Sequence, residues 1–198
     1  MAEVDRMTGK EEVPKSEKAR SLPGLLLHTC CGPCATGVLE SLAEEYEMTC
    51  FFYNPNVQPE SEYRTRLDQA REVARIMKVL FLDDEYDADA WLEETKGLKD
   101  EPEGGRRCEI CFRKRLLKTG IKAKQVGADL FATTLTISPH KNAGLINRTG
   151  NYVSQKVGVP FLEGDWKRAG GFKRSVELSE EFSLVRQDYC GCEYSRRG

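Results

Sequence analysis

The chain has 198 residues, 39% hydrophobic and 31% charged, with a net charge of −2 at neutral pH. That length suits one domain with a sizeable core, and no apolar run approaches the roughly 20 residues of a membrane span. The near-neutral balance does not announce a nucleic-acid binder, although a local basic patch matters more than the sum.

Residues 1–22 are polar, carry both charge signs and lack the apolar core of a secretion signal. They are expected to form a flexible tail on a cytoplasmic protein. The remainder, 23–198, is expected to be one catalytic α/β domain ending in a cysteine-bearing tail. "GLLLHT" reads as a buried strand, and 34–46 as a helix with Val38, Leu39 and Leu42 on one face. "EMTCFFYN" is a second strand, closed by the turn signal "NPN" at 54–56. A charged amphipathic helix follows over 60–78, apolar at Tyr63, Leu67, Ala70, Val73, Ala74 and Met77. "VLFLD" is a third strand, 89–94 a short helix, and 96–107 a loop rich in glycine and charge. Helical sequence resumes near Cys108; "ADLFATTLTI" is a fourth strand, "NAGLINRTGNYVSQKVG" a helix and "VPFLEGDW" a fifth strand. A last helix falls between the "AGG" of 169–171 and the "YCGC" of 189–192. This alternation predicts parallel βαβ units, hence a three-layer α/β sandwich around about five parallel strands.

In such sheets ligands bind beyond the carboxyl ends of the strands. "HTCCGPC", "YNPNVQP" and "SPHKN" fall at those ends. The eight cysteines group as Cys30, Cys31 and Cys34, then Cys108 and Cys111, then Cys190 and Cys192, with Cys50 alone in mid-strand as a small buried hydrophobe. Cytosolic thiols stay reduced, so metal binding or redox chemistry is expected rather than a disulfide framework. Seven loop and helix-start thiols exceed the four of a closed zinc site by three. An iron–sulfur cluster held by four or three of them is the leading expectation, with a second metal or a redox pair accounting for the surplus. Zinc alone and a purely thiol-based site are the alternatives. Arg106, Arg107, Arg113, Lys114 and Arg115 flank one pair and favour thiolates.

His28, two residues before Cys30, is a candidate proton donor or cluster-tuning group, against the plainer reading of a satisfied polar residue at a strand end. His140 and Lys141, in "SPHKN", are candidates for contact with substrate or phosphate. "YNPNVQPESEYRTR" reads first as a proline-punctuated turn leading into a helix. Yet Tyr53, Asn54 and Asn56 sit at the expected active edge, with Tyr63, Arg64 and Arg66 on the next helix. Aromatic faces beside arginines suit a nucleic-acid substrate.

Taken together, "LLLHTCCGPC", "FFYNPNVQPESEYRTR", "RRCEICFRKRL", "TTLTISPHKN" and "YCGCEYS" resemble the signatures of the cobalamin-independent epoxyqueuosine reductases, the QueH family, from about Leu25 to Ser195. The resemblance implies reduction of epoxyqueuosine to queuosine at the wobble position of tRNAs with GUN anticodons, the last step of queuosine biosynthesis. It also implies a 4Fe-4S cluster, with additional iron on the surplus cysteines, a low-potential donor such as ferredoxin or flavodoxin, and neither cobalamin nor a membrane. The implied sheet is related to that of the adenine-nucleotide hydrolases (HUP or PP-loop type). Members of that group that bind ATP carry S-G-G-x-D-S after the first strand, where this chain has "HTCCGPC", so no ATP is expected. On this reading Tyr53 and Asn54 grip the modified base, His28 supplies the proton, and Arg64 holds a neighbouring phosphate. The alternatives are an iron–sulfur tRNA thiolation enzyme and a non-catalytic zinc-bound RNA-binding module.

Overall fold

The structure, a computed structural model, describes residues 22–195; the expected tail at 1–22 lies outside the described residues except for Leu22. Its elements run β1 (Gly24–His28), α1 (Gly32–Leu42), β2 (Glu47–Phe52), α2 (Glu60–Ile76), β3 (Leu80–Asp83), α3 (Ala88–Thr95), α4 (Arg106–Val126), β4 (Leu130–Thr133), α5 (Ala143–Val157) and α6 (Gly171–Glu181). The strands form one parallel sheet in the order β3-β2-β1-β4.

The side-chain alternation of β1 builds both cores. Leu25 and Leu27 pack with Val38, Leu39, Val73 and Ala74 from α1 and α2. Leu26 points the other way, into Phe112, Leu116, Ile146 and Val153 from α4 and α5. Each fully buried leucine of this kind contributes about 1.5–3 kcal/mol relative to exposure. Cys50 is wholly buried in the first core, in register with Leu27. The result is the expected three-layer α/β sandwich.

The expected fifth strand is reduced to one parallel bridge between Phe131 and Phe161. Phe131 donates to the Pro160 carbonyl and accepts from Leu162, but Pro160 has no N–H to extend the ladder. Asn147 then holds both backbone groups of Gly164 and draws the chain onto α5. The fourth strand also stops short of its expected length. Thr133 Oγ1 accepts from the Leu135 N–H at 3.2 Å and turns Thr134–Ile137 into a 3-10 helix.

The strand order reverses between β1 and β4. Chain leaving β1 enters α1 on one face, while chain leaving β4 leads to α5 on the other, and a crevice opens between them.

Candidate functional site

The turn between β1 and α1 brings three thiols to the crevice. Cys31 is the extended N-cap of α1, Cys30 precedes it, and Cys34 lies in the first turn. Gly32 makes the turn possible: a Cβ there would stand 2.7 Å from the Gln69 carbonyl oxygen of α2. The sulfurs of Cys30, Cys31 and Cys34 all lie within 4.8 Å of one another, close enough to ligate one metal ion. Hydrogen bonds from Cys31 and Cys34 hold the Cys30 thiol well below its usual value, against its burial, with help from Lys141 and Thr134. Cys31 is correspondingly pushed up to about 12, chiefly by its hydrogen bond to Cys30. Cys34 rises for the same reason. Protons are thus shared among three sulfurs, which is the donor chemistry a metal displaces. Thr134, just beyond β4, donates to the Cys30 sulfur at 3.3 Å and accepts from the Cys30 N–H at 3.1 Å.

Four more thiols line a cavity of their own. Cys108 and Cys111 lie one turn apart at the start of α4, and Cys190 and Cys192 come from the segment after α6. Burial raises the Cys108 thiol and pushes Cys111 to about 11 and Cys192 to about 12. Cys111 and Cys192 pack with fully buried Trp91 of α3, and Cys190 borders them. The Cys108 sulfur accepts from the Gly104 N–H at 3.2 Å.

Arg66 docks the C-terminal segment. This buried side chain of α2 donates to the carbonyls of Cys190 (3.2 Å) and Tyr189 (3.3 Å), pairs with Glu62 at 2.7 Å, and stacks on the Tyr189 ring. Gly191 has φ +98°, open to glycine, and a Cβ there would lie 2.8 Å from Arg66 Nη1. The Gly191 carbonyl accepts from the Gln58 N–H at 2.8 Å.

Two cations lie between the thiol groups. Arg115 is 2% exposed. Burial acts against its charge, but Cys111, Cys190, Cys30 and Cys108 outweigh burial and raise it. Lys141 is likewise raised by Cys190, Cys30 and Cys34 against the effect of burial. Arg115 donates to the Cys111 carbonyl and, at 3.4 Å, to Asn54 Oδ1, while its buried Nη2 has no partner among the described residues. A guanidinium N–H unpartnered among the described residues and close to Cys111, Cys190, Cys30 and Cys108 suits an anionic thiolate–metal assembly, so the donor set and its surroundings fit iron–sulfur ligation.

The other expected site residues divide. His140 lines the cavity with Lys141. Asn54 is buried beneath it, its amide donating to the Thr29 carbonyl at 3.0 Å. Asn56 is fully buried, and neither atom of its amide has a partner among the described residues. His28 is fully buried and does not line the cavity. Its Nε2–H donates to the Tyr53 carbonyl at 3.2 Å, which leaves Nδ1 to accept from the Thr133 hydroxyl at 2.9 Å. Burial, then Arg115, lowers its pKa to about 4, so near neutral pH it carries no acidic proton for the cavity. The Tyr53 phenol is raised by burial and by Asp87, Asp84 and Glu94, which places it toward α3 rather than the thiols. Tyr63 packs between Phe52 and Tyr86 in a separate core cluster, with no face free for a base. Arg64 is exposed and held by Glu60 at 2.8 Å, outside the cavity.

Arg115 is the residue that sequence reasoning undervalued, as one cation in a basic run. Cys108, Cys111 and Arg115 recur at helical spacing, and that spacing was the available signal.

Fold and site define a parallel α/β protein whose switch point carries a cysteine-lined site able to hold metal. No helix among the described residues is long and apolar enough to cross a membrane. The chain belongs to the epoxyqueuosine reductase QueH family, whose model matches residues 25–198, and is an oxidoreductase of that family. It is 40% identical over 187 residues to the epoxyqueuosine reductase QueH of Streptococcus pyogenes serotype M1, covering 91% of this chain and 73% of that protein. Its identity to the Histophilus somni protein of the same name is 37%, covering 93% of this chain and 76% of that one. The Thermotoga maritima relative, also so named, is 36% identical, covering 86% of this chain and 89% of that one.

Proposed function

We propose that this protein reduces epoxyqueuosine to queuosine at the wobble position of tRNAs with GUN anticodons, in the cytoplasm, using iron–sulfur chemistry without cobalamin or ATP. The epoxide takes up two electrons and two protons, forming the cyclopentene and water. Cys108, Cys111, Cys190 and Cys192 are assigned to a 4Fe-4S cluster, and Cys30, Cys31 and Cys34 to an additional iron. When bound, these groups supply electrons one at a time and a Lewis acid for the epoxide oxygen. A low-potential protein such as ferredoxin or flavodoxin is the assigned donor.

The observation that carries this reading is that Cys108, Cys111, Cys190 and Cys192 line one cavity with Arg115 and Lys141, two cations that also interact with Cys30 of the three-thiol group. A modified base from an anticodon loop reaches such a cavity unpaired, with no duplex to open. The Lys141 ammonium, aimed among the thiols, is the protein's hydrogen-bond donor for the oxygen that leaves. His140 and Asn142 line the same wall and orient the ring. Arg115 balances the negative charge of the thiolates from beneath. His28 acts indirectly, fixing the end of β1 against Thr133 and Tyr53.

The test is anaerobic reconstitution with iron and sulfide, metal counting, and reduction of an anticodon stem-loop bearing epoxyqueuosine by a low-potential donor. Conversion to queuosine without ATP is expected; metal-loaded protein that leaves the epoxide intact overturns the reading.

A further inference from the structure

A second depression lies beside the thiol cavity, between α4 and α5, and shares Leu145 with it. Arg106 and Arg113 border it from α4, Arg148 from α5, with Ile110 and Tyr152 between them. All three arginines are exposed, and none makes an ion pair or a side-chain hydrogen bond among the described residues. That sets them apart from Arg64, Arg71, Arg75 and Arg174, each of which is paired with a carboxylate. Lys156 adds a further cation, its ammonium 5.5 Å from the centre of the Tyr152 ring. Glu109 is the single acid in the lining.

Resting on the function proposed above, we infer that this groove binds the RNA backbone next to the reacting nucleotide, with Arg106, Arg113 and Arg148 on phosphates and Tyr152 as a stacking face. Three arguments support an RNA strand rather than another partner. Unpaired guanidiniums are ready for phosphate oxygens without first breaking an ion pair. Arg106 and Arg113 lie two turns apart on one helix, about 10 Å along its axis, so they track a strand rather than grip one ion. Tyr152 is half exposed among the cations, the combination of aromatic face and basic groove that suits single-stranded nucleic acid. Leu145 borders both the groove and the cavity, so a strand held in the groove runs beside the wall of the cavity that holds Cys108 and Cys111.

The experiment titrates metal-loaded protein with an unmodified anticodon stem-loop transcript by fluorescence anisotropy over a range of salt. Arg113→Ala and Arg148→Ala are each expected to weaken binding about three- to tenfold and to lower the slope of log affinity against log salt by about 1. Tyr152→Ala is expected to weaken binding with the slope unchanged, and Lys173→Ala, on the opposite layer, to change neither. Wild-type affinity and slope in the Arg113→Ala/Arg148→Ala double variant, with epoxide reduction intact, overturn the groove while leaving the reductase reading standing. Turnover that falls with a protein donor but not with dithionite, at unchanged RNA affinity, assigns the groove to the donor and also overturns the proposal. Wild-type protein that neither binds the transcript nor reduces the epoxide overturns both.

Discussion

Arg66 donates from Nη1 to the backbone carbonyl of Cys190, 3.2 Å away and 124 positions later in the chain. This one side chain on α2 ties the segment bearing two of the seven clustered thiols to the segment after β2. Its charge is buried, and Glu62 answers it at 2.7 Å. The completeness of the four-thiol group therefore depends on a residue that contributes no ligand.

Arg66→Ala is expected to cost about 2–4 kcal/mol, because it leaves Glu62 and two carbonyls without their donor. The same change should lower retained iron and make Cys190 and Cys192 more reactive toward a thiol reagent. Arg66→Lys restores charge but cannot span both carbonyls, so its iron content should fall in between. Metal analysis and urea unfolding check these outcomes; wild-type iron content in Arg66→Ala contradicts the docking role.

The seven thiols should separate into two classes on mutation. Cys108→Ala or Cys190→Ala should abolish the visible absorption of the four-iron cluster. Cys30→Ala or Cys31→Ala should keep most of that absorption and lose about one iron per chain. Cys50→Ala should retain all the metal at a cost of about 1 kcal/mol. Iron and sulfide counts on anaerobic protein distinguish these patterns, and uniform loss across all seven positions would dissolve the two-group assignment.

Much of this was legible locally. "HTCCGPC" announced a turn from strand to helix, and the unbroken apolar run of "GLLLHT" read as a buried strand, which the structure covers on both faces. Tyr63 was legible as well: it belongs to the apolar repeat with Leu67, Ala70 and Val73, and that repeat turned its ring into the core instead of toward a base. The meeting of Cys190 and Cys192 with Cys111 was not legible, because it depends on Arg66 reaching the Tyr189 and Cys190 carbonyls more than 120 positions away, which no local pattern encodes. The shortened fourth strand turned on a single side chain, the Thr133 hydroxyl, which competed with the sheet for a backbone N–H.

Lys141→Ala should lower the single-turnover rate about 10²-fold while leaving metal content unchanged. Lys141→Arg should recover part of the rate, since a fixed cation remains at the cavity wall. Rapid-quench measurement of epoxide consumption separates the two variants. An unaltered rate in Lys141→Ala transfers the proton-donating role to water or metal.

His28→Ala should destabilise the fold by about 2–4 kcal/mol, through a cavity and an unsatisfied Tyr53 carbonyl. The folded, metal-loaded fraction should still turn over within about threefold of wild type, since the imidazole is neutral and both nitrogens are engaged. Unfolding curves paired with rates normalised to cluster content test this. A hundredfold slower rate at unchanged stability would restore His28 as the acid.

The separation of the two thiol groups along the chain also bears on synthesis. Cys30, Cys31 and Cys34 emerge from the ribosome early, whereas Cys192 follows after roughly 160 further residues. At about 5–20 residues per second that interval is roughly 8 to 30 s. During it the nascent chain exposes a nearly complete small chelate and only half of the larger one. Iron reaching the first group meets a site made of neighbouring residues. The four-iron group instead has to wait until the tail has been clasped by Arg66, which makes cluster insertion a late step that reports on finished folding.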